Sequence, residues 1–269
     1  MAEIEFADGK FTVDRPEARG EVYLQGAHVT RWIPAAQRPV IFLSPNSAFA
    51  PGRAIRGGIP VVFPWFGPHP SDPQAPQHGY ARTRPWLFAG AAGGALQFEL
   101  AAEPFRLRYD VAFGATLALA LTVENRSSQE AGFEAALHSY FAVSDVAAVA
   151  VEGLAGCTYL DKPDGMRRKL QAGDVTFAGE TDRVYLDTPP QLAIHDPGWR
   201  RRIAIDKTGA AATIVWNPWR DKAAAMADLG AEAWRGLVCV ETGNVADNAV
   251  RLAAGASHTM TTAIAVAAL

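Results

Sequence analysis

The sequence is poor in cysteine, in excess charge and in long apolar runs. Of its 269 residues only two are cysteines, Cys157 and Cys239. Two thiols build no disulfide framework, and no C-x-x-C pair offers the spacing of a zinc site. The 25 Lys and Arg side chains nearly balance the 28 Asp and Glu, for a net charge of −3. Coating a nucleic acid needs a broad basic face, and this composition lacks one. A small anionic ligand stays admissible, because it needs only a local cluster of cations. No apolar stretch approaches the ~20 residues of a membrane-crossing helix. The apolar stretch 261–269 is far too short. The first residues, MAEIEFAD, lack the basic-then-apolar order of a secretory signal. The expectation is a soluble cytoplasmic protein without nucleic-acid or membrane partners. Helical periodicity is also scarce. The one helix predicted covers residues 220–234, rich in alanine with Met226 and Leu229.

What the chain does have is alternation. Leu96, Phe98 and Leu100 alternate with Gln97 and Glu99. Phe105, Leu107, Tyr109, Val111 and Phe113 alternate with Arg106, Arg108, Asp110 and Ala112. Leu117, Leu119, Leu121 and Val123 follow with the same period. Period two puts apolar side chains on one face of a strand. Short breaks at Gly93-Gly94, Glu103-Pro104 and Gly114 give the spacing of antiparallel meanders. Further strands are predicted over 21–33, 40–43, 133–143, 175–178, 191–195, 202–206, 212–216, 237–241 and 259–267. Helices are too few for alternating βαβ units. No internal repeat and no domain boundary stands out. The predicted architecture is mainly β, a large antiparallel β-sandwich over residues 1–269 as a single domain with few short helices. One segment, 60–85, breaks the pattern. It is long, irregular and rich in Pro, aromatics, His and Arg, which in a compact domain points to function.

Four local groups could carry chemistry. In RGGIPVVFPWFG, Arg56 precedes Gly57 and Gly58. The glycines permit close backbone approach to a ligand, and the guanidinium is an anion fork; a surface arginine before a turn is the plain alternative. Gln77-His78-Gly79-Tyr80-Ala81-Arg82 offers an amide, an imidazole and a guanidinium, suited to hydroxyls and anions. It could equally be a loop held by its own aromatics. Strand phase puts Glu134, Ala136, His138 and Tyr140 on one face and Phe133, Leu137 and Phe141 on the other. His138 is either a structural histidine or a proton donor near neutral pH. Glu241 ends an apolar strand before Thr242-Gly243-Asn244. Burial would raise its pKa and make it a better base; in water it is only a strand-end charge. Asp182 is expected in a turn before a strand, where an Asx-turn cap is its bland role. His28, His69, His195 and His258 show no ligand spacing, so no metal is assigned. There is no GxSxG elbow and no phosphate loop.

Taken in order, RGGIPVVFPWFG, QHGYARTRPW, LHSYF, GETDRVY, WNPW and CVETGN resemble the aldose 1-epimerase superfamily, and within it the hexose-6-phosphate mutarotases. The matching segments run from residue 56 to residue 244. The resemblance implies a galactose mutarotase-like supersandwich with a sugar site in a cleft on one sheet. It implies His138 as general acid and Glu241 as general base, working without metal or cofactor. It places Arg56, His78, Arg82 and Asp182 along the sugar and phosphate site, with Gln77 as a further hydroxyl contact. Trp65 and Phe66 could wall the cleft. The implied reaction is interconversion of the α and β anomers of a hexose 6-phosphate by ring opening and closure. Two or three converging arginines, with Arg53 and Arg84 nearby, could select the phosphate. The alternatives are an epimerase of unphosphorylated aldoses and a non-catalytic sugar-phosphate-binding module. The expected partner is a small hexose phosphate, and the expected state is a monomer.

Overall fold

The structure, a computed structural model, describes residues 3–269. Two eight-stranded sheets dominate it. The first runs Arg167–Leu170, Thr158–Asp161, Thr181–Tyr185, Ala212–Asn217, Leu237–Asn244, Ala135–Leu137 and Val61–Val62 in order, with Tyr140–Ala142 also paired to Leu237–Asn244. The second runs Ala150–Glu152, Gln191–Asp196, Arg201–Thr208, Ser257–Ala268, Thr116–Asn125, Phe105–Phe113, Ala95–Ala102 and Leu87–Ala92. Strand pairs in both sheets are antiparallel. A four-stranded sheet, Glu3–Ala7 to His28–Pro34, and a two-stranded ribbon complete the β structure. The chain is mainly β and built from antiparallel sheets, as the alternation predicts.

The alternation read in the sequence becomes the core. Phe105, Leu107, Tyr109, Val111 and Phe113 are all buried, as are Leu117, Leu119, Leu121 and Val123. They join one apolar cluster with Phe141, Val215 and Val238 of the first sheet. Burying such side chains contributes about 1.5–3 kcal/mol each, so this layer is the main stabilising element. Thr242 Oγ1 donates to Thr262 Oγ1 at 3.1 Å and links the two sheets by a buried hydrogen bond. A second, smaller apolar cluster gathers Val62, Ala136, Leu160, Val184, Ala212 and Ile214, all from the first sheet. That sheet is therefore buried on both faces, which is why several of its strands do not alternate.

Several expectations need correction. The predicted helix 220–234 is only Trp219–Ala225. Met226 is extended, and Gly230 takes a left-handed φ of 94°. These turn the chain, and the remainder is a loop with a short 3-10 turn at Ala233–Gly236. The predicted strand 21–33 is a hairpin of Ala18–Tyr23 and His28–Pro34. Its turn passes through Gly26 and Ala27 at positive φ. Residues 40–43 and 175–178 hold only isolated bridges, at Ile41, Leu43 and Val175. The stretch 133–143 is broken into three short strands.

Candidate active site

The break in the 133–143 stretch builds the centre of the site. Ala135–Leu137 and Tyr140–Ala142 both pair with Leu237–Asn244, and His138 lies in the gap between them. Its backbone N–H donates to Pro60 O at 3.0 Å, so the chain stays anchored through the break. This brings His138 Nδ1 to 3.2 Å from Glu241 Oε1. The contact is within ion-pair range but forms no hydrogen bond. Nδ1 of His138 and Oε2 of Glu241 are both buried without a partner. Tyr140 stacks on the His138 ring, with centroids 4.6 Å apart and planes 19° apart. Trp216 meets the same ring edge-on at 6.1 Å.

The arginines arrive from the irregular segment 60–85 and from just before it. Arg82 sits in a 3-10 turn, Ala81–Thr83. Gly26 of the hairpin turn lies against it: a Cβ there would sit 2.6 Å from Arg82 O. Only glycine allows that approach at that φ. Arg82 Nη2 donates to Gln77 O at 2.7 Å, while its Nε is buried without a partner. Arg56 Nε donates to Asp228 Oδ2 at 3.0 Å, and its Nη1 donates to Tyr140 Oη at 3.2 Å. His78 adopts a φ of 63°. Its Nδ1 accepts from Gly67 N–H at 3.2 Å. In the neutral ring the proton is then on Nε2, which makes His78 a fixed donor.

These groups line one cleft of about 340 Å³. Arg56, Gln77, His78, Arg82, His138, Asp182 and Glu241, all named from the sequence, share its wall. Phe66 lines it too. Trp65 does not: its indole donates to Pro76 O and packs edge-on against His69 and Tyr80. Arg53 and Arg84 also lie off the lining, and Arg84 stacks over Tyr80. Gly57 and Gly58 lie off the lining as well. A Cβ on Gly57 would meet Phe42 O at 2.6 Å, and one on Gly58 would strike His28. They serve packing between segments. Asp182 is not a turn cap. It is the second residue of the strand Thr181–Tyr185, and its Oδ1 pairs with Lys162 Nζ at 3.1 Å.

Sequence reasoning missed Lys162, Lys222 and Met226, which line the cleft, and Asp228, which holds Arg56. Tyr140 shares the His138 face, where its ring stacks on His138 and its hydroxyl accepts from Arg56. Lys162 lies 4.3 Å over the Phe66 ring. Lys222 pairs with Glu180 at 2.6 Å. Among the described residues, each cleft cation except Arg82 has a carboxylate within ion-pair range. No group of three or more His, Cys, Asp or Glu among these residues is arranged to hold a metal.

Burial controls the proton-bearing groups. It pushes His138 well below the ordinary histidine range, and His78, Arg82, Arg56 and Lys162 push the same way. It pushes Glu241 well above the carboxylate range; Lys162 and Arg82 oppose this, and Asp182 adds to it. Burial thus favours neutral His138 and protonated Glu241. His78 falls to about 3, chiefly by burial and then by Arg82, Lys162 and Arg56. Burial also draws Arg82 below its usual value, since its charge has no carboxylate partner. A neutral imidazole beside a protonated carboxyl puts a proton acceptor and a proton donor in one cleft.

The family model described as aldose 1-epimerase matches residues 9–265. The chain belongs to the aldose 1-epimerase family. Similar proteins include one from Escherichia coli (strain K12) named "Putative glucose-6-phosphate 1-epimerase". It is 38% identical over 240 residues, covering 86% of this chain and 81% of that protein. A protein of the same name from Cenchrus ciliaris is 36% identical, covering 82% of this chain and 73% of that one. The crystal structure of a "putative mutarotase" from Salmonella typhimurium superposes with a TM-score of 0.90 at 31% identity, covering 100% of this chain and 94% of that one. As an aldose 1-epimerase the chain is an isomerase whose substrate is a small sugar. No helix among the described residues is long and apolar enough to cross a membrane.

Proposed function

We propose that the protein interconverts the α and β anomers of a hexose 6-phosphate, with glucose-6-phosphate as the substrate to test first. The observation that carries the reading is the His138–Glu241 pair at 3.2 Å, in a cleft shared with the guanidinium of Arg82, whose buried Nε has no partner among the described residues. The names borne by the Escherichia coli and Cenchrus ciliaris relatives support the same choice of substrate. Anomerisation opens the hemiacetal. Glu241, as carboxylate, takes the proton of the C1 hydroxyl, and His138, as imidazolium, gives one to the ring oxygen. The C1–O5 bond breaks and C1 becomes an aldehyde carbon. Rotation about C1–C2 presents its other face. On closure His138 takes back the O5 proton and Glu241 returns its proton to O1. Ring opening in this direction leaves neutral His138 and protonated Glu241, which is the arrangement that burial favours.

The remaining residues bind. Arg82 and Arg56 hold the phosphate through charge-assisted hydrogen bonds. His78 donates from Nε2 to a sugar oxygen, Gln77 and Asp182 take hydroxyls, and Phe66 and Trp216 give the sugar apolar walls. We propose that the chain works as one domain, as a monomer and in the cytoplasm, on the sequence grounds given above. The decisive experiment is NMR exchange between glucose-6-phosphate anomers. Acceleration over buffer is expected. Equal rates with and without protein, or for wild type and Glu241→Gln, would reject the reading. Tight binding with the anomers relaxing at the buffer rate would make the protein a sugar-phosphate-binding module instead.

A further inference from the structure

Arg56 and Asp228 lie 172 residues apart in the chain, yet their side chains meet at 3.0 Å. Asp228 belongs to the loop that follows the helix Trp219–Ala225, and Met226 of that loop lines the cleft. The loop is fastened to the Arg56 segment by one buried serine. Ser44 Oγ lies 2.7 Å from Asp228 O and 3.1 Å from Leu229 O, and its single proton serves these carbonyls. Ser44 N–H donates to Arg56 O at 3.1 Å. Arg56 N–H donates in turn to Ser47 Oγ at 2.7 Å. The acceptor and the arginine it holds are therefore fixed to the same short stretch, 44–47.

We propose that Asp228 is a positioning residue that aims the Arg56 guanidinium at the phosphate of the substrate. The inference rests on the hexose 6-phosphate reading above. A guanidinium carries five N–H donors in a planar fork. Asp228 occupies Nε and Tyr140 occupies one donor of Nη1. Two hydrogen bonds from two different nitrogens restrict the rotation of the guanidinium. The unused donors are all on the Nη nitrogens, and Arg56 lines the cleft. Without Asp228 the long side chain regains its rotamer freedom and must be ordered again by each substrate. Asp228 itself never touches the sugar. Its loss should therefore weaken binding and leave the proton transfers at His138 and Glu241 intact.

The test measures kcat and KM for glucose-6-phosphate by NMR anomer exchange. Asp228→Ala should raise KM by about 10-fold, the scale of one charge-assisted hydrogen bond, with kcat within about 2-fold of wild type. Asp228→Asn, which keeps a neutral acceptor, should fall between the two. In an Arg56→Ala background, Asp228→Ala should add nothing, because coupled residues are non-additive. Additive effects there, a loss confined to kcat, or a lower KM from releasing the Arg56 charge would each overturn the proposal. Wild-type protein that fails to accelerate the exchange would reject the reaction instead. Titration with inorganic phosphate by calorimetry would then decide the positioning alone: weaker binding by Asp228→Ala supports it, and equal or absent binding in both proteins overturns it.

Discussion

The two eight-stranded sheets use their strands differently. In the second, Phe105–Phe113 and Thr116–Asn125 alternate buried and exposed positions almost without interruption. In the first, Leu237–Asn244 and Ala212–Asn217 are buried at every position. One sheet has a solvent face and a core face. The other has a core on one side and a cleft with its own small apolar cluster on the other. Alternation marks scaffold, and its failure marks the place where loops have settled over a sheet and a site has room to form. Charges follow the same division. Glu99, Arg106, Arg108 and Asp110 pair on the solvent side of the second sheet, where such pairs contribute little. Glu241 and His138 are buried in the first and have only each other at short range.

The division can be broken most sharply at Glu241. Glu241→Gln keeps the shape of the protonated acid, so the fold should survive while kcat falls by about 10²–10⁴-fold; anomer exchange and a thermal melt, run together, would show whether the two effects separate. The opposite result is expected in the second sheet. Leu121→Ala should cost about 2–5 kcal/mol of stability, read as a lower urea midpoint, with kcat preserved below the transition. Acid should act first on the cleft side. Burial lowers His28 to about 4 and His78 to about 3. The unfolded chain then binds more protons between these values and the ordinary 6.5, so the stability these groups support is complete above pH 6.5 and is lost as pH falls towards 4. Amide exchange should show 28–34 and 56–62 losing protection before 105–113; the reverse order would contradict this. Arg82→Ala should raise KM for glucose-6-phosphate by about 10–100-fold, the scale of a lost hydrogen bond to a charged group, and leave any turnover of free glucose unchanged. The smallest effect belongs to Thr122→Ala on the outer face of the second sheet, within about 0.5 kcal/mol despite the Thr122–Thr259 hydroxyl contact.

The same contrast explains what could be read from the chain. Phe105 to Val123 announced their strands because one face meets solvent. The doubly buried strands lack that signal, yet they carry His138 and Glu241, which were visible as polar residues in apolar surroundings. Arg56 stands out through Gly57 and Gly58, though these glycines serve packing; His78 and Arg82 stand out as an imidazole and a guanidinium on an irregular loop. Lys162 and Asp228 carried no local signal. Their roles arise only when Lys162 meets Asp182 and Asp228 meets Arg56, and such pairings are products of the fold. Alanine propensity continues past residue 225 and extends the predicted helix, whereas Met226 and Gly230 turn the chain for the loop that holds Arg56.

The close approach of Gly26 to Arg82 O has a consequence for how such a cleft is held in place. The turn belongs to the four-stranded sheet and does not line the site. Any side chain at position 26 must push on the backbone of Arg82, the cleft cation without a carboxylate partner among the described residues. The position of a cleft arginine thus depends on a turn outside the cleft, through backbone contact rather than through any side chain that lines the site.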